Sequence, residues 1–414
     1  MDKDTTKSAF REYVTPLNVS TILQELNRLK MERYVKKLGV ISFIRLVVFA
    51  QVNQIPSLKD ISLELEANES LQKELALDSI SASQLSRKLR ETPSYFLDFV
   101  FRECVEQITR QVGAKRANEK MRRINLVDSS TISMCVSQYP WAEFRSTKAG
   151  VKLHLRLVFL DDQVAPDKAI LTPAKPADKT QMDALVVVEP NALNVFDRGY
   201  VDYRKFDTYC ANGTKFVTRL KDNAVIHEVI EERQVPSDSP VTREALVRLG
   251  SYPNYVMEHT LRLLETTDNE GKRVVILTND MTMDAEQICD VYRKRWQIEL
   301  FFKWVKQHLV LKRLYGHSEN GVYNQLLIAL ITYCLLILLQ AKVSHSGKLL
   351  EVYKCLRLYW DRAFSEFVKA LYKKPGRTSK GRRRCKVEDI FEQTVQQYIE
   401  RETEHLETVI YDLI

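Results

Sequence analysis

The sequence predicts an α/β fold in which helices flank a strand-rich middle, and three observations lead to this prediction. Residues 1–118 contain apolar runs at helical spacing, separated by polar turns. From about residue 119, runs rich in β-branched residues alternate with helical segments, as in layered α/β folds. Residues 222–280 contain strand-like runs without a convincing helix, and helical spacing resumes at Asp284.

These patterns divide the chain into four parts. We predict a helical N-terminal domain at 1–118 and a core formed by 119–221 together with 281–345. Between the two core segments we predict an all-β insertion at 222–280, and after them a helical C-terminal region at 346–414. A chain of 414 residues is long enough for two or three domains and a large core.

Composition narrows the class of protein. The hydrophobic fraction of 45% and charged fraction of 28% are those of a globular protein and exclude general disorder. Seven scattered cysteines without a CxxC pair argue against a disulfide framework and against a zinc site. The net charge of +8 suits a nucleic-acid partner without requiring one. The polar N-terminus does not resemble a signal peptide, so we expect a cytoplasmic protein.

The segment "SISASQLSRKLRE" at 79–91 is a candidate DNA reader. It follows a polar junction, begins with residues typical of a helix cap, and ends with Arg87, Lys88 and Arg90. This pattern is typical of the second helix of a helix-turn-helix. Small helical pairs with basic ends are also common without a DNA partner, so the sequence leaves both readings open. With DNA contact, residues 1–118 would form a DNA-binding domain.

Two runs stand out in the C-terminal third of the chain. The apolar run at 326–339 has 14 residues, whereas a membrane span needs about 20, so we predict a buried core helix and no membrane association. The run at 373–386 contains eight basic residues and no acid, and its Pro and Gly residues predict a loop. Such a loop is either simply solvated or a contact for phosphate groups.

Two aspartates follow apolar strands of the predicted core. Asp128 comes directly after "INLV", and Asp197 comes directly after "LNVF". A lone Asp after a strand is usually a turn former or a helix cap. Two such residues together with Glu299 would instead form a carboxylate cluster, which is tolerable when divalent cations neutralise it. Oxygen ligands alone favour Mg²⁺ or Mn²⁺, and a pair of such ions suits phosphodiester chemistry.

Glu299 lies in a predicted helix at 291–309 with a polar stripe. At helical spacing, Tyr292, Arg295, Glu299 and Lys306 share an arc of roughly 60°. The opposite arc is apolar and is predicted to pack on the core; its residues are Ile298, Leu300, Phe301, Trp304, Val305 and Leu309. On the helix alone, a surface helix with Arg295–Glu299 and Glu299–Lys303 ion pairs is an adequate alternative.

Taken together, these motifs resemble a known family. The spacing of Tyr292, Arg295, Glu299 and Lys306 matches the YREK signature of the DDE-type transposases of bacterial insertion sequences, in the family numbered four. "LVDSST" resembles the first catalytic-aspartate motif of that family, and "VFDRGYVDY" resembles the second. The β-rich stretch before Glu299 resembles its insertion domain. The resemblance covers roughly residues 120–340.

The resemblance implies a ribonuclease-H-like core whose catalytic and metal-binding triad is Asp128, Asp197 and Glu299. It implies Mg²⁺ or Mn²⁺ as cofactor, with two ions at the site. It also implies contacts with DNA phosphates; the residues expected to make them are Tyr292, Arg295, Lys306, Arg198 and Lys303. The expected function is DNA cleavage at transposon ends and strand transfer into target DNA.

The expected partners are double-stranded DNA, as terminal inverted repeats and as target, and a second copy of the chain in the synaptic complex. The expected location is the nucleoid of a bacterial cytoplasm. Two alternatives remain: a ribonuclease-H-like nuclease that cuts without joining, and a DNA-binding protein without catalysis. The first uses the same acids, so the sequence does not separate it from a transposase. Loss of a triad acid would support the second, and all three acids are present.

The chain departs from the family pattern in its tryptophans. Members that cut through a DNA hairpin use a tryptophan of the insertion to hold a flipped base, and here no tryptophan lies between residues 200 and 290. Tyr252 or Tyr255 could stack on a base instead. Lys152, His154 and Arg156 alternate along a predicted strand; they either line a DNA path or belong to an ordinary charged sheet edge. His154 is a candidate support for Asp128.

Overall fold

Seven helices of the described chain precede the sheet. The computed structural model describes residues 7–33, 35–113, 123–160, 163–268 and 271–373. The helices are α1 (Ala9–Tyr13), α2 (Ser20–Arg28), α3 (Val40–Asn53), α4 (Leu58–Ala67), α5 (Glu69–Leu75), α6 (Ala82–Glu91) and α7 (Ser94–Gly113). The side chains of Ser57, Asn68 and Ser81 cap α4, α5 and α6 by accepting backbone N–H bonds, which fixes where these helices begin. The predicted helical runs are therefore observed in the described part of residues 1–118.

Eleven strands and two helices follow in the described chain. The strands are β1 (Arg123–Met134), β2 (Glu143–Arg145), β3 (Lys148–Leu160), β4 (Gln163–Pro173), β5 (Ala192–Phe196), β6 (Lys215–Arg219), β7 (Ile226–Arg233), β8 (Val241–Ser251), β9 (Tyr255–Val256), β10 (Leu261–Thr267) and β11 (Arg273–Thr278). The helices α8 (Met182–Leu185) and α9 (Tyr203–Ala211) precede β5 and β6. Strands mixed with helices confirm the α/β class.

The sheet order brings the two candidate aspartates to one edge. The strands run in the order β2-β3-β1-β5-β6-β11-β10-β8-β7, with β4 beside β3 and β9 beside β8. β1 is parallel to β5, and β5 is parallel to β6, whereas β3 is antiparallel to β1. The carboxyl ends of parallel strands lie at the same edge of a sheet. This edge is the place where the candidate site forms.

The strands between residues 222 and 280 extend this same sheet. β11 pairs antiparallel with β6, with Ile276 opposite Arg219, and β10, β8 and β7 continue outward from β11. The described residues of 222–280 contain strands and no helix. Because their strands pair with the core strands, the sheet itself does not separate them as an independent domain.

The helices after the sheet differ from the sequence prediction in one place. They are α10 (Ala285–Lys294), α11 (Trp296–His308), α12 (Glu319–Lys342), α13 (Leu349–Tyr359) and α14 (Phe364–Leu371). The prediction of one continuous helix at 291–309 is wrong, because α10 ends before Arg295 and α11 begins after it. The N–H of Arg295 bonds Tyr292 O at 3.0 Å, and that of Ile298 bonds Arg295 O at 3.1 Å. These i to i−3 bonds tighten the chain at the junction.

The hydrophobic core is built around α12. This helix packs against α3, α6, α7 and α13, and the Tyr13 hydroxyl donates to Thr332 O at 2.7 Å. Among the described residues, α12 alone is by itself long and apolar enough to cross a membrane, but 94% of its apolar window is buried inside the protein. The run at 326–339 therefore serves as a core helix, as predicted. Apart from Lys373, the basic run at 373–386 lies outside the described residues.

Candidate active site

Asp128 and Asp197 occupy corresponding positions on two parallel strands. Val127 of β1 pairs with Phe196 of β5, and each aspartate is the next residue. Asp197 directly follows β5, and its carbonyl accepts a bond from Tyr200 N that closes a tight turn. The expectation that a strand also ends at Asp128 is wrong, because β1 continues to Met134 by pairing with β3. What ends at Asp128 is the pairing with β5.

Arg295 connects Glu299 to the strand that carries Asp128. Its Nη2 donates to Glu299 Oε1 at 2.6 Å, and its Nη1 lies 3.7 Å from Asp128 Oδ2. The Asp128 and Arg295 side chains are largely buried, with 19% and 15% of their surface exposed, and Glu299 retains 36%. The negative charge of Asp197 also acts on Arg295. The guanidinium is thus a shared counter-charge for the three acids.

The pKa of Asp128 also reflects the proximity of Asp197, Glu299 and Arg295. Burial, aided by the charges of Asp197 and Glu299, raises the pKa of Asp128 from 3.8 to about 6. The Ser129 N–H bond and the Arg295 charge oppose this shift in pKa. Such a perturbed acid in a partly open site is typical of functional centres. Asp197 and Glu299 therefore both lie within electrostatic reach of Asp128.

The donor chemistry of these acids suits a hard divalent cation, because all the ligand atoms are carboxylate oxygens. The carboxylate side chains are not arranged as they would be around a bound divalent cation. Among the described residues, no group of three or more His, Cys, Asp or Glu side chains is placed to hold a metal ion. Arg295 neutralises Asp128 and Glu299 in this arrangement.

Of the remaining residues of the predicted polar stripe, Lys306 also reaches β1. Lys306 Nζ donates to Ser130 Oγ at 2.6 Å, two residues beyond Asp128 in the sequence. The Tyr292 ring lies under the Arg295 guanidinium, at 5.9 Å from its centroid. Lys303 is exposed, and Arg198 makes an exposed ion pair of 3.2 Å with Asp222.

The apolar stripe of α11 is observed with one exception. Ile298, Phe301 and Val305 are buried, Leu309 is buried just beyond the helix, and Trp304 is partly buried. The prediction that Leu300 packs on the core is wrong, because 42% of Leu300 is exposed. Leu300 stood at the margin of the predicted apolar arc, where a small rotation is enough to expose it.

Asp178 is a neighbour of the site that sequence reasoning missed. Its Oδ1 accepts a bond of 2.7 Å from Ser129 Oγ and lies 3.0 Å from Lys152 Nζ. Its backbone precedes α8 in a short turn, where an isolated Asp gives no distinctive signal. The sequence offered one indication of a partner acid, the alternation of Lys152 and His154. On β3 these two residues lie opposite the residues that follow Asp128. The carboxylate anchors the β1 chain directly beside Asp128.

The alternating polar residues of β3 make their contacts within the protein. Lys152 pairs with Asp178, and Arg156 pairs with Asp167 and donates to Leu185 O at 2.8 Å. These contacts favour the ordinary charged sheet over a DNA path. His154 is fully buried, opposite Ser129, and its Nε2 lies 3.0 Å from Thr172 Oγ1. Burial lowers the pKa of His154 to about 4, so the ring is neutral near pH 7.

Arg219 is a second residue that the sequence did not single out. It ends β6, one residue after Thr218, which pairs with Phe196 beside Asp197. Its positive charge lowers the pKa of Tyr292, against the dominant effect of burial, which raises it. The carboxyl edge of the sheet therefore carries Arg219 as well as Arg295.

Tyr252 and Tyr255, the two candidates for stacking on a DNA base, differ in how far their rings are exposed. Tyr255 donates its hydroxyl to Asp207 Oδ2 at 2.8 Å, and Arg204 covers one face of its ring at 4.6 Å from the centroid. Tyr252 is 80% exposed. A cavity of about 300 Å³ lies between the start of α9 and the end of β8, and Tyr203, Lys221 and Tyr255 line it.

Sequence comparison decides the family. The family model described as the transposase DDE domain matches residues 119–335, which is more than half of the chain. The chain belongs to the transposase DDE domain family. Residues 5–77, ahead of the DDE domain, match a domain of unknown function, DUF4372.

Relatives of the DDE domain agree with this assignment. The chain is 31% identical over 258 residues to a probable transposase for insertion sequence element IS5377 of Geobacillus stearothermophilus. It is also 31% identical over 244 residues to y4zB of Sinorhizobium fredii. These matches cover 61% and 57% of this chain, and 66% of each relative. The chain thus matches slightly less than two thirds of the length of each of these two relatives.

The solved structures that match this chain include a transposase of low similarity. The piggyBac transposase in a synaptic complex with hairpin DNA has a TM-score of 0.45 and 12% sequence identity to this chain. The superposition covers 92% of this chain and 84% of that one.

Proposed function

We propose that this DDE-domain protein is a transposase that cleaves DNA at the ends of an insertion sequence and joins the freed end to target DNA. The observation that carries the proposal is the Arg295 guanidinium, which contacts both Asp128 and Glu299 at the sheet edge where Asp197 directly follows β5. The DDE family assignment supports the same chemistry. Assignment to the branch numbered four rests on the YREK spacing, the two aspartate motifs and the β-rich stretch before Glu299.

We assign the site a ribonuclease-H-like core. The strand order β4-β3-β1-β5-β6, with β3 antiparallel to β1 and with β1, β5 and β6 parallel, supports this assignment. The domain division at 1–118, 119–221 with 281–345, 222–280 and 346–414 is part of the proposal. In this division, the strands of 222–280 are an insertion that extends the core sheet.

We assign Asp128, Asp197 and Glu299 as ligands of Mg²⁺ or Mn²⁺. A bound pair of such ions activates a hydroxyl nucleophile and stabilises the leaving oxygen of a phosphodiester. Arg295 and Lys306 each reach the β1 chain at or near Asp128 and suit charge-assisted contacts with phosphate oxygens. Tyr292, Arg198 and Lys303 complete the proposed DNA contacts. Ser129 and Asp178 hold the β1 chain that presents Asp128.

The proposed partners are the terminal inverted repeats, target DNA and a second copy of the chain. Pairing of two ends before cutting would prevent breaks at a single end. The excess of positive charge, +8, favours association with DNA in the bacterial nucleoid. The basic run at 373–386 is proposed as a phosphate contact on composition alone, because almost all of it lies outside the described residues.

A cleavage assay tests the proposal. The protein is incubated with Mg²⁺ and a duplex carrying the inverted repeat that flanks its gene, and the strands are sized for nicks, hairpins and joined products. The proposal requires cuts at the repeat end and joined strands, both lost in Asp197→Asn. Cutting without joining would assign a nuclease, and binding without cutting would assign a DNA-binding protein. No specific binding and no cutting would overturn the proposal.

A further inference from the structure

We propose that α6 is the helix that reads the base sequence of the end DNA, with Ser83, Gln84 and Arg87 as its reading residues. The inference rests on the proposed function, because it names how the same protein would find its DNA end. It concerns a surface that lies outside the carboxylate site and begins about forty residues before Asp128 in the sequence.

The chain from α5 to α6 follows the order of a helix-turn-helix motif, with a six-residue turn at 76–81 in place of the usual three or four. α5 ends at Leu75, and Ala76 adopts a left-handed conformation with φ 49° and ψ 47° that turns the chain. The side chains that close the turn are buried; they are Leu71, Leu75, Leu77, Ile80 and Leu85. Ser81 and Gln84 then form a capping box that starts α6. In this motif the second helix enters the major groove with its N-terminal residues on the base edges.

The outward face of α6 carries side chains suited to base edges. Ser83, Gln84 and Arg87 are exposed, whereas Leu85 and Leu89 on the other face are buried. Arg87 has no hydrogen-bond or ion-pair partner within the described part of the chain. Gln84 uses its Oε1 in the capping box, which leaves its amide NH₂ for a ligand. Arginine pairs with guanine and glutamine with adenine in the major groove.

The opposite end of α6 is fixed to the core. Asn320 Nδ2 of α12 donates to Arg90 O at 2.6 Å, and Asn324 Nδ2 donates to Leu89 O at 2.8 Å. Both amides also donate to Thr92 O, just after the helix. These bonds hold the C-terminal end of α6 against the start of α12 and leave its N-terminal half directed away from that anchor. A reading helix needs such a rigid attachment.

A basic segment connects α6 with the candidate active site. Lys312 and Arg313 are exposed in the connection from α11 to α12, and the charge of Lys312 acts on Lys306. Gly316 in the same connection is close to α6, since a Cβ at this glycine would lie 3.8 Å from Leu89 Cδ2. Lys306, Lys312 and Arg313 therefore place positive charge along the segment that runs from the acids towards α6.

These features favour double-stranded DNA as the ligand of the α6 surface. A phosphate-only contact would need the positive charges but not the polar residues Ser83 and Gln84 at the N-terminal end of the helix. Lys37 adds to the positive surface, because its Nζ reaches Ser79 Oγ at 3.1 Å just before α6. Asp78 and Glu91 are the nearby exposed acids, and Arg90 lies 3.9 Å from Glu91.

The test compares Arg87→Ala and Ser83→Ala with the wild type and with the control Arg110→Ala. Arg110 is an exposed arginine near the far end of α7, paired with Glu106, so its loss removes one charge away from α6. The probes are a duplex carrying the inverted repeat that flanks the gene and the same duplex with the repeat scrambled. Affinities are measured by fluorescence anisotropy, and cleavage of both probes by the wild type is measured in parallel.

We expect Arg87→Ala to weaken binding to the repeat about 10- to 100-fold, as for loss of one base-reading side chain. Binding to the scrambled duplex should change far less, and Arg110→Ala should leave the preference for the repeat intact. An equal loss on both probes would make Arg87 a phosphate contact and overturn the inference, as would an unchanged preference in Arg87→Ala. Cleavage by a wild type that does not prefer the repeat would also overturn it. A wild type that neither prefers nor cleaves the repeat would overturn the proposed function itself.

Discussion

The guanidinium of Arg295 lies 3.7 Å from the carboxylate of Asp128, measured from Nη1 to Oδ2. The same group donates a 2.6 Å bond to Glu299 one helical turn later. A largely buried carboxylate with a raised pKa needs a positive neighbour to remain charged near neutral pH. Arg295 provides that charge in the protein as described, and a divalent cation would provide it in the proposed active form.

Arg295→Ala should destabilise the protein mainly when metal is absent. Removing the guanidinium leaves Asp128 and Glu299 without their charged donor, at a cost of roughly 1.5–3 kcal/mol in the free energy of unfolding. Mg²⁺ should restore more stability to the variant than to the wild type, because the cation replaces the lost charge. Denaturant unfolding in EDTA and in Mg²⁺ checks this. Arg293→Ala, which breaks an exposed pair with Asp290, is the control. An equal loss in both conditions would contradict the prediction.

The stability of the metal-free protein should fall as pH rises through the pKa of Asp128. Folding raises this pKa from 3.8 to about 6, so the folded state binds the proton more tightly than the unfolded state. The stabilisation from the protonated acid is present below pH about 4 and is lost as pH passes about 6. It corresponds to roughly 3 kcal/mol at about 1.4 kcal/mol per pKa unit.

Asp128→Asn isolates this effect, because the amide does not titrate. Urea unfolding of both proteins in EDTA between pH 4 and pH 7 gives the difference in unfolding free energy, and the contribution of His154 cancels in that difference. The wild type should lose stability relative to the variant as pH rises. A constant difference over this range would show that Asp128 titrates normally in the folded protein.

Much of the fold was predictable because local patterns determine it. The N-terminal helices follow from apolar spacing and from caps such as Ser57 and Ser81, whose side chains accept bonds where the sequence places them. The pairing of the strands was harder to predict from the sequence. Nothing in "INLVDSSTISM" shows that β1 continues past Asp128, because that extension depends on pairing with β3, a segment distant in sequence.

Asp178→Ala should destabilise the fold more than Asp178→Asn. The alanine variant leaves the Ser129 hydroxyl without its acceptor and the Lys152 ammonium with the Pro176 carbonyl in place of an ion pair, at a cost of roughly 1–3 kcal/mol. The asparagine variant keeps an acceptor oxygen for Ser129. Denaturant unfolding measures both, with Asp222→Ala as control, because its ion pair with Arg198 is exposed. Wild-type stability in Asp178→Ala would show that this anchor contributes nothing.

Lys306→Ala should weaken binding of end DNA at low salt and reduce the salt dependence of binding. Each lost phosphate contact lowers the slope of log K against log salt by about 0.9. The fold should survive, because Lys306 is only partly buried and its main partner is the Ser130 hydroxyl. Lys369→Ala, an exposed lysine of α14, removes the same charge elsewhere. A slope identical to that of the wild type would exclude Lys306 from the phosphate contacts.

The candidate site was predictable to the extent that its residues share a motif. The polar stripe placed Arg295 and Glu299 together, and they form an ion pair. The register that sets Asp128 beside the end of β5 is a property of the assembled sheet. Asp178 and Arg219 escaped prediction because each reaches the site from a separate segment, a turn before α8 and the end of β6. A single sequence motif does not contain the information on contacts between segments that are distant in the sequence.

Replacement of Asp128 by cysteine, followed by cleavage of end DNA in Mg²⁺ and in Mn²⁺, tests the central claim that this acid binds the catalytic cation. A thiolate is a poor ligand for Mg²⁺ and a better one for softer Mn²⁺. We predict that Asp128→Cys fails to cut in Mg²⁺ and recovers cutting in Mn²⁺, whereas Asp178→Cys shows no such switch. Full activity of Asp128→Cys in Mg²⁺, or cleavage by the wild type in EDTA, would contradict the account.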